Sequence, residues 1–136
     1  MFMEKEDIFE ELRRKLVYSM KVGSVFCIHL DKMEPDFHNE WTDSAVFPLD
    51  QICDFDEWRE DEKYMKIVKE EDKKTEADTL VEKYQMKDSH SIAFLAKYKS
   101  EETMLKVVKN IPESDMMQIL VVEEINEEAE AAGARF

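Results

Sequence analysis

Between residues 4 and 21 the apolar residues Ile8, Phe9, Leu12, Leu16 and Met20 recur at steps of three and four, and Glu10, Glu11, Arg13 and Arg14 fall on the other side. This spacing predicts an amphipathic helix. Acidic residues crowd its start and basic ones its second half, as the helix dipole favours, and Gly23 stands where it should stop. The next segment, Gly23-Ser-Val-Phe-Cys-Ile-His-Leu-Asp31, is an apolar run that ends in a carboxylate. A period of two puts Phe26, Ile28 and Leu30 on one face and Val25, Cys27 and His29 on the other. Both faces are mostly apolar, which predicts a central strand covered on both sides.

Residues 31–50 hold Pro35, Asn39, Pro48 and several acids and read as a long irregular connection. Phe37, Trp41 and Phe47 lie within it, so the loop is expected to dock rather than hang free. Phe55, Trp58, Met65 and Val68 form an apolar stripe that predicts a second helix from Phe55 to about Lys69. A charge-rich bridge follows at residues 70–78. Leu80–Met86 alternates weakly, Asp88-Ser89-His90 is turn-like, and Ser91–Tyr98 is a buried-strand pattern, which together predict a β-hairpin. Ser100 is a good N-cap for a third helix, with Met104, Val107, Val108 and Ile111 as its buried stripe and Pro112 as its stop. Met117–Val122 reads as a last strand. It would close a strand-helix-strand crossover and hence pair in parallel with another strand.

The predicted fold class is therefore α/β: a two- or three-layer domain whose sheet of three to four partly parallel strands is packed by three helices. The domain is expected to span residues 1–122, and the acidic, Ala-rich residues 123–136 to form a flexible tail. A chain of 136 residues suits one such domain.

Composition narrows the functional classes. The net charge of −14 opposes non-specific binding to DNA or anionic lipid, so neither nucleic acid nor membrane is an expected partner. No apolar run reaches the roughly 20 residues of a membrane span, and the charged N-terminus lacks a signal-peptide pattern. With Cys27 and Cys53 as the only cysteines, the expectation is two buried free thiols in a cytoplasmic protein. Two glycines cannot build a phosphate-cradling loop of either common type, and no calcium loop is present. No cofactor is expected.

Candidate chemistry centres on the end of the first strand. An Asp at the C-terminal edge of a sheet is a common place for ligand-facing groups, so Asp31 with His29 forms one candidate, for a small hydrolase or a metal- or nucleotide-binding enzyme. Asp31 can equally be a loop acid that meets water. Cys27, His29 and Asp31 share a face, but residues two apart on a strand sit about 6.6–6.8 Å apart, awkward for three ligands of one ion, and no metal site is expected. Neither cysteine lies in a nucleophile turn. The other candidate is the aromatic group Phe37, Trp41, Phe47, Phe55 and Trp58. These residues can be core or can anchor a protein partner, where aromatics dominate binding energy.

The order helix, Val25-Phe-Cys-Ile-His-Leu-Asp31, later strand Ile92-Ala-Phe-Leu-Ala96, helix and strand resembles the second half of a P-loop ATPase core of the AAA type. In that resemblance Asp31 matches the Walker B aspartate and Ile92–Lys97 the sensor strand. The segment from Phe47 to Met65 resembles insertions in degenerate AAA-like modules of ciliary axonemal proteins. The chain departs from the family in three ways: it lacks the phosphate loop, it carries Lys32 where an acid follows the Walker B aspartate, and it has no assignable arginine finger. The resemblance thus implies a module that has lost hydrolysis and serves as a scaffold, with a cytoskeletal or ciliary association.

The reading that follows is a non-catalytic protein-interaction or scaffold module that contacts its partner through the aromatic region 37–68. Completion of its sheet by another chain is a further expectation, because open sheet edges invite pairing.

Overall fold

The computed structural model describes residues 4–73 and 84–122. The first helix, α1 (Lys5–Val22), forms where the sequence spacing places it and buries Phe9, Leu16, Val17 and Met20. Gly23 ends it at φ 78°, where its N–H donates to the Ser19 carbonyl at 2.9 Å. A side chain would be strained there, since its Cβ would come within 2.2 Å of Ser89 Oγ and 2.9 Å of Lys87 Cβ. Strand β1 (Val25–Asp31) follows at once.

The chain then makes a long excursion before returning to the sheet. It runs through α2 (Leu49–Cys53), α3 (Phe55–Trp58) and α4 (Asp61–Tyr64), and then two 3-10 turns, Met65–Ile67 and Glu70–Lys73. The single helix expected from Phe55 to Lys69 is thus broken. Glu60 adopts ψ 132° between α3 and α4. The reason lies in Trp58 and Tyr64, both 1 % exposed. Six residues apart on a continuous helix, they would point about 120° apart round its axis. The break at Glu60 lets both rings enter one core.

Strand β2 (Ser91–Ala96) pairs with β1 in parallel, from Val25 opposite Ser91 to Asp31 opposite Ala96, with an irregularity between His29 and Asp31. The fold is mixed α/β, but its sheet has two strands among the described residues rather than three or four. The hairpin expected from Leu80–Met86 is not formed by what is described of it. Residues 84–87 have no strand pairing, and residues 80–83 lie outside the described residues. Helix α5 (Glu101–Asn110) forms as expected, with Ser100 Oγ accepting the Thr103 N–H at 3.1 Å. The last expected strand, 117–122, is not formed: Met117 is a bend, residues 118–122 have no regular secondary structure, and neither described strand pairs with them. Residues 123–136, expected as a tail, lie outside the described residues.

One core joins these pieces. Phe26 and Leu30 of β1 share one cluster with Leu16 and Met20 of α1 and with Phe47, Leu49 and Ile52 of the excursion. Ring pairs tie the irregular loop to the sheet: Phe47 to Phe26 at 6.2 Å and Phe37 to Phe94 at 5.6 Å. The Tyr84 hydroxyl donates to the Val17 carbonyl at 2.6 Å, and Tyr98 donates to the Met33 carbonyl.

Two buried polar centres fix the geometry. Arg13, 1 % exposed, donates to Glu10, to the Ile67 carbonyl at 2.7 Å and to Asp72 at 2.7 Å. It anchors the far end of the excursion to α1. His90, also buried, joins the start of β2 to the end of α1. Its Nδ1 lies 3.0 Å from the Ser24 carbonyl, which can only accept, so Nδ1 carries the proton. Ser19 Oγ lies 3.1 Å from the same nitrogen, and Arg59 holds the His90 carbonyl at 2.5 Å.

Candidate functional site

The aromatic candidates are divided by burial. Phe37, Phe47 and Trp58 belong to the core, which corrects their assignment as a contact surface: a side chain already covered by its own fold has no area left for a partner. Trp41 and Phe55 are half-buried. Trp41 stands edge-on to Phe9 at 6.1 Å and has the Lys5 ammonium 5.1 Å from its ring. Phe55 carries the Arg59 guanidinium at 4.2 Å and faces the His90 ring at 6.0 Å. Both rings are therefore engaged within the chain.

The structure places His29 and Asp31 at the C-terminal end of β1, opposite Leu95 and Ala96. Both are exposed. Asp31 sits at φ 54°, and its carbonyl accepts the Lys97 N–H at 2.7 Å, so its backbone shapes the exit of the strand. Among the described residues no three His, Cys, Asp or Glu side chains cluster as a metal site would require.

The thiols differ from expectation. Cys53 is buried, and desolvation pushes its thiol up to about 12, which keeps it protonated and inert. Cys27 is exposed. It lies on the face of β1 that sequence reasoning expected to be covered.

That face is the feature the sequence did not reveal. Val25 and Leu95 are each 56 % exposed, and Cys27, His29 and Ala93 beside them are exposed as well. Parallel sheets are normally covered on both faces, because their strands are apolar on both. Here the Phe26–Leu30 face is packed and the Val25–Leu95 face is open. No residue from Val25 to Leu30 or from Ser91 to Ala96 is Asp, Glu, Lys or Arg, so the open face also lacks the charges that usually protect exposed strands. The signal was present as apolar alternation on both faces, but alternation cannot say whether a cover comes from the same chain.

A second apolar surface follows α5. Met116, Ile119, Leu120, Val121 and Val122 are exposed, Leu120 by 87 % and Val122 by 83 %. This arm begins at a pocket of about 380 Å³ lined by Cys53, Phe55, Asp56, Ser91, Ile92, Met116 and Met117, so it starts beside the first residues of β2. No helix among the described residues is long and apolar enough to cross a membrane. No protein-family model matches this chain, and neither a curated protein nor a solved structure matches it.

Proposed function

We propose that this chain is a non-catalytic protein-interaction module whose contact surface is the open face of its two-stranded sheet. The observation that carries the reading is the exposure of Val25, Cys27 and Leu95 on a parallel sheet, a structure whose faces are ordinarily both covered. Contiguous apolar surface of this kind marks interaction sites on stable proteins. The buried Cys53 thiol and the exposed positions of His29 and Asp31 give no support to catalysis at the strand's end.

The charge of the chain adds a preference. A net charge of −14 favours a partner that is neutral or basic around its own apolar patch. The resemblance to a AAA-type core supports the same reading, because a module without a phosphate loop keeps only the scaffold role. The two segments matched in that resemblance are the two that pair in parallel here.

Affinity purification from cells with wild-type chain, Leu95→Asp and Leu105→Asp tests the proposal. Leu105 is 47 % exposed on α5, outside the sheet strands, and serves as the control. Proteins that bind through the face are lost with Leu95→Asp and kept with Leu105→Asp. Equal recovery with all three chains contradicts the proposal.

A further inference from the structure

We infer that the apolar arm Met117–Val122 of one copy pairs with the free edge of β2 in a second copy, and that the exchange is reciprocal. The inference rests on the interaction-module reading above, but uses the sheet's edge rather than its face.

Four observations carry it. First, β2 is an edge strand among the described residues, since the sheet has the order β1-β2 alone. In a parallel ladder alternate residues turn their N–H and C=O groups to either side, so the outward backbone groups of β2 have no ladder partner among the described residues. Second, the arm matches that edge. Met-Gln-Ile-Leu-Val-Val at 117–122 is as long as Ser-Ile-Ala-Phe-Leu-Ala at 91–96, is rich in β-branched residues, and neither carries a charge. Third, the chain holds the arm out. Glu113 takes φ 57°, a 3-10 turn runs over Ser114–Met116, Met117 rests against the core, and residues 118–122 beyond it are exposed, up to 87 % at Leu120.

The fourth is area. An extended residue exposes about 160 Å², so covering a third to a half of six residues and an equal area of the receiving edge buries roughly 650–950 Å² per arm. One arm alone falls short of the roughly 1,200–2,000 Å² of a stable specific interface, whereas two reciprocal arms reach roughly 1,300–1,900 Å². A single foreign strand at this edge meets no such threshold. A second copy meets it through two-fold symmetry, which makes every contact twice. The uncharged contact lets two copies of a strongly acidic chain meet without placing carboxylates against each other.

Sedimentation equilibrium of the full chain from low to high micromolar concentration, with and without Leu120→Lys/Val122→Lys, tests this. Both positions are exposed, so the variant leaves the folded copy intact. Wild type is expected to rise from 16.2 kDa toward twice that mass, more readily at higher salt because like-charged copies repel, and the double variant to stay at one copy. Hydrogen exchange at residues 118–122 is expected to slow only as the dimer forms. A wild type of single mass at every concentration overturns the inference, as does a dimer that the variant leaves intact. Slow exchange in a single copy also overturns it, because the arm then closes on its own β2. The face reading is judged separately, since Val25→Asp, on the same face but on β1 rather than on the receiving strand, is expected to leave the dimer unchanged.

Discussion

Arg13 and Asp72 lie 59 positions apart in the chain and 2.7 Å apart in space. The guanidinium is 1 % exposed and the carboxylate 11 % exposed, so the pair is shielded from water. Arg13 also donates to the Ile67 carbonyl and to Glu10, and so bolts the end of the excursion to α1. Asp72→Ala leaves Arg13 with Glu10 and should cost about 1.5–3 kcal/mol, the range for a hydrogen bond to a charged group. Arg13→Ala removes the donor of the Ile67 carbonyl and leaves Glu10 and Asp72 with Lys69 alone, and should cost more, about 3–5 kcal/mol. Urea unfolding of the two variants checks the order: a larger loss with Asp72→Ala would contradict it.

The two tryptophans should separate cleanly. Trp58 is 1 % exposed in the core, and Trp58→Ala should cost about 3–5 kcal/mol. Its indole N–H has no acceptor among the described residues, so Trp58→Phe forfeits no hydrogen bond there and should cost far less. Trp41 is half-buried and held by Phe9 and Lys5. Trp41→Ala should cost about 1–2 kcal/mol, the combined worth of an edge-on ring pair and a cation over a ring. Comparable losses at the two positions, read by thermal or urea melts, would argue against this division.

Gly23→Ala should destabilise the chain by more than about 1 kcal/mol, because φ 78° is costly for any side chain. The added methyl would also meet Ser89 Oγ and the Lys87 Cβ, the latter at 2.9 Å. A variant as stable as wild type would show that the turn from α1 to β1 relaxes freely.

Some of this fold was legible in the sequence and some was not, for identifiable reasons. Helices α1 and α5 announced themselves because apolar spacing, caps and stops agreed: Gly23 after α1, Ser100 before α5 and Pro112 after it. Strand β1 was equally clear. The break at Glu60 was hidden, because the stripe Phe55, Trp58, Met65 suits a continuous helix while the burial of Tyr64 does not. The pairing of β2 with β1 was hidden because turn-like residues before Ser91 favoured a local hairpin. Among the candidate contact residues, Phe37, Phe47 and Trp58 could not be told from core by residue type alone, since burial is decided by partners distant in sequence, such as Phe94 and Phe26.

His90 gives the stability a distinct dependence on pH. Burial lowers its pKa below 6.5, opposed by its bond to Ser24, while the Arg59 charge adds to the lowering. The unfolded chain therefore takes up the proton first. Stability from this site is complete above pH 6.5 and declines as pH falls from there toward the folded value. Glu10 acts in a lower window. Its hydrogen bond to Arg13 lowers it from 4.5 to about 2, so its contribution is complete above pH 4.5 and disappears between 4.5 and 2. In His90→Asn the decline just below pH 6.5 should flatten while the lower one remains. Denaturant midpoints across pH check this, and an unchanged upper decline would contradict it.

The most direct test of the open sheet face is the reactivity of Cys27 toward a maleimide. Cys27 is exposed on that face and Cys53 is buried, so the isolated chain should label rapidly at Cys27 alone. In complexes recovered from cells, Cys27 should be protected. Equally fast labelling of Cys27 in the isolated chain and in its complexes would contradict the account.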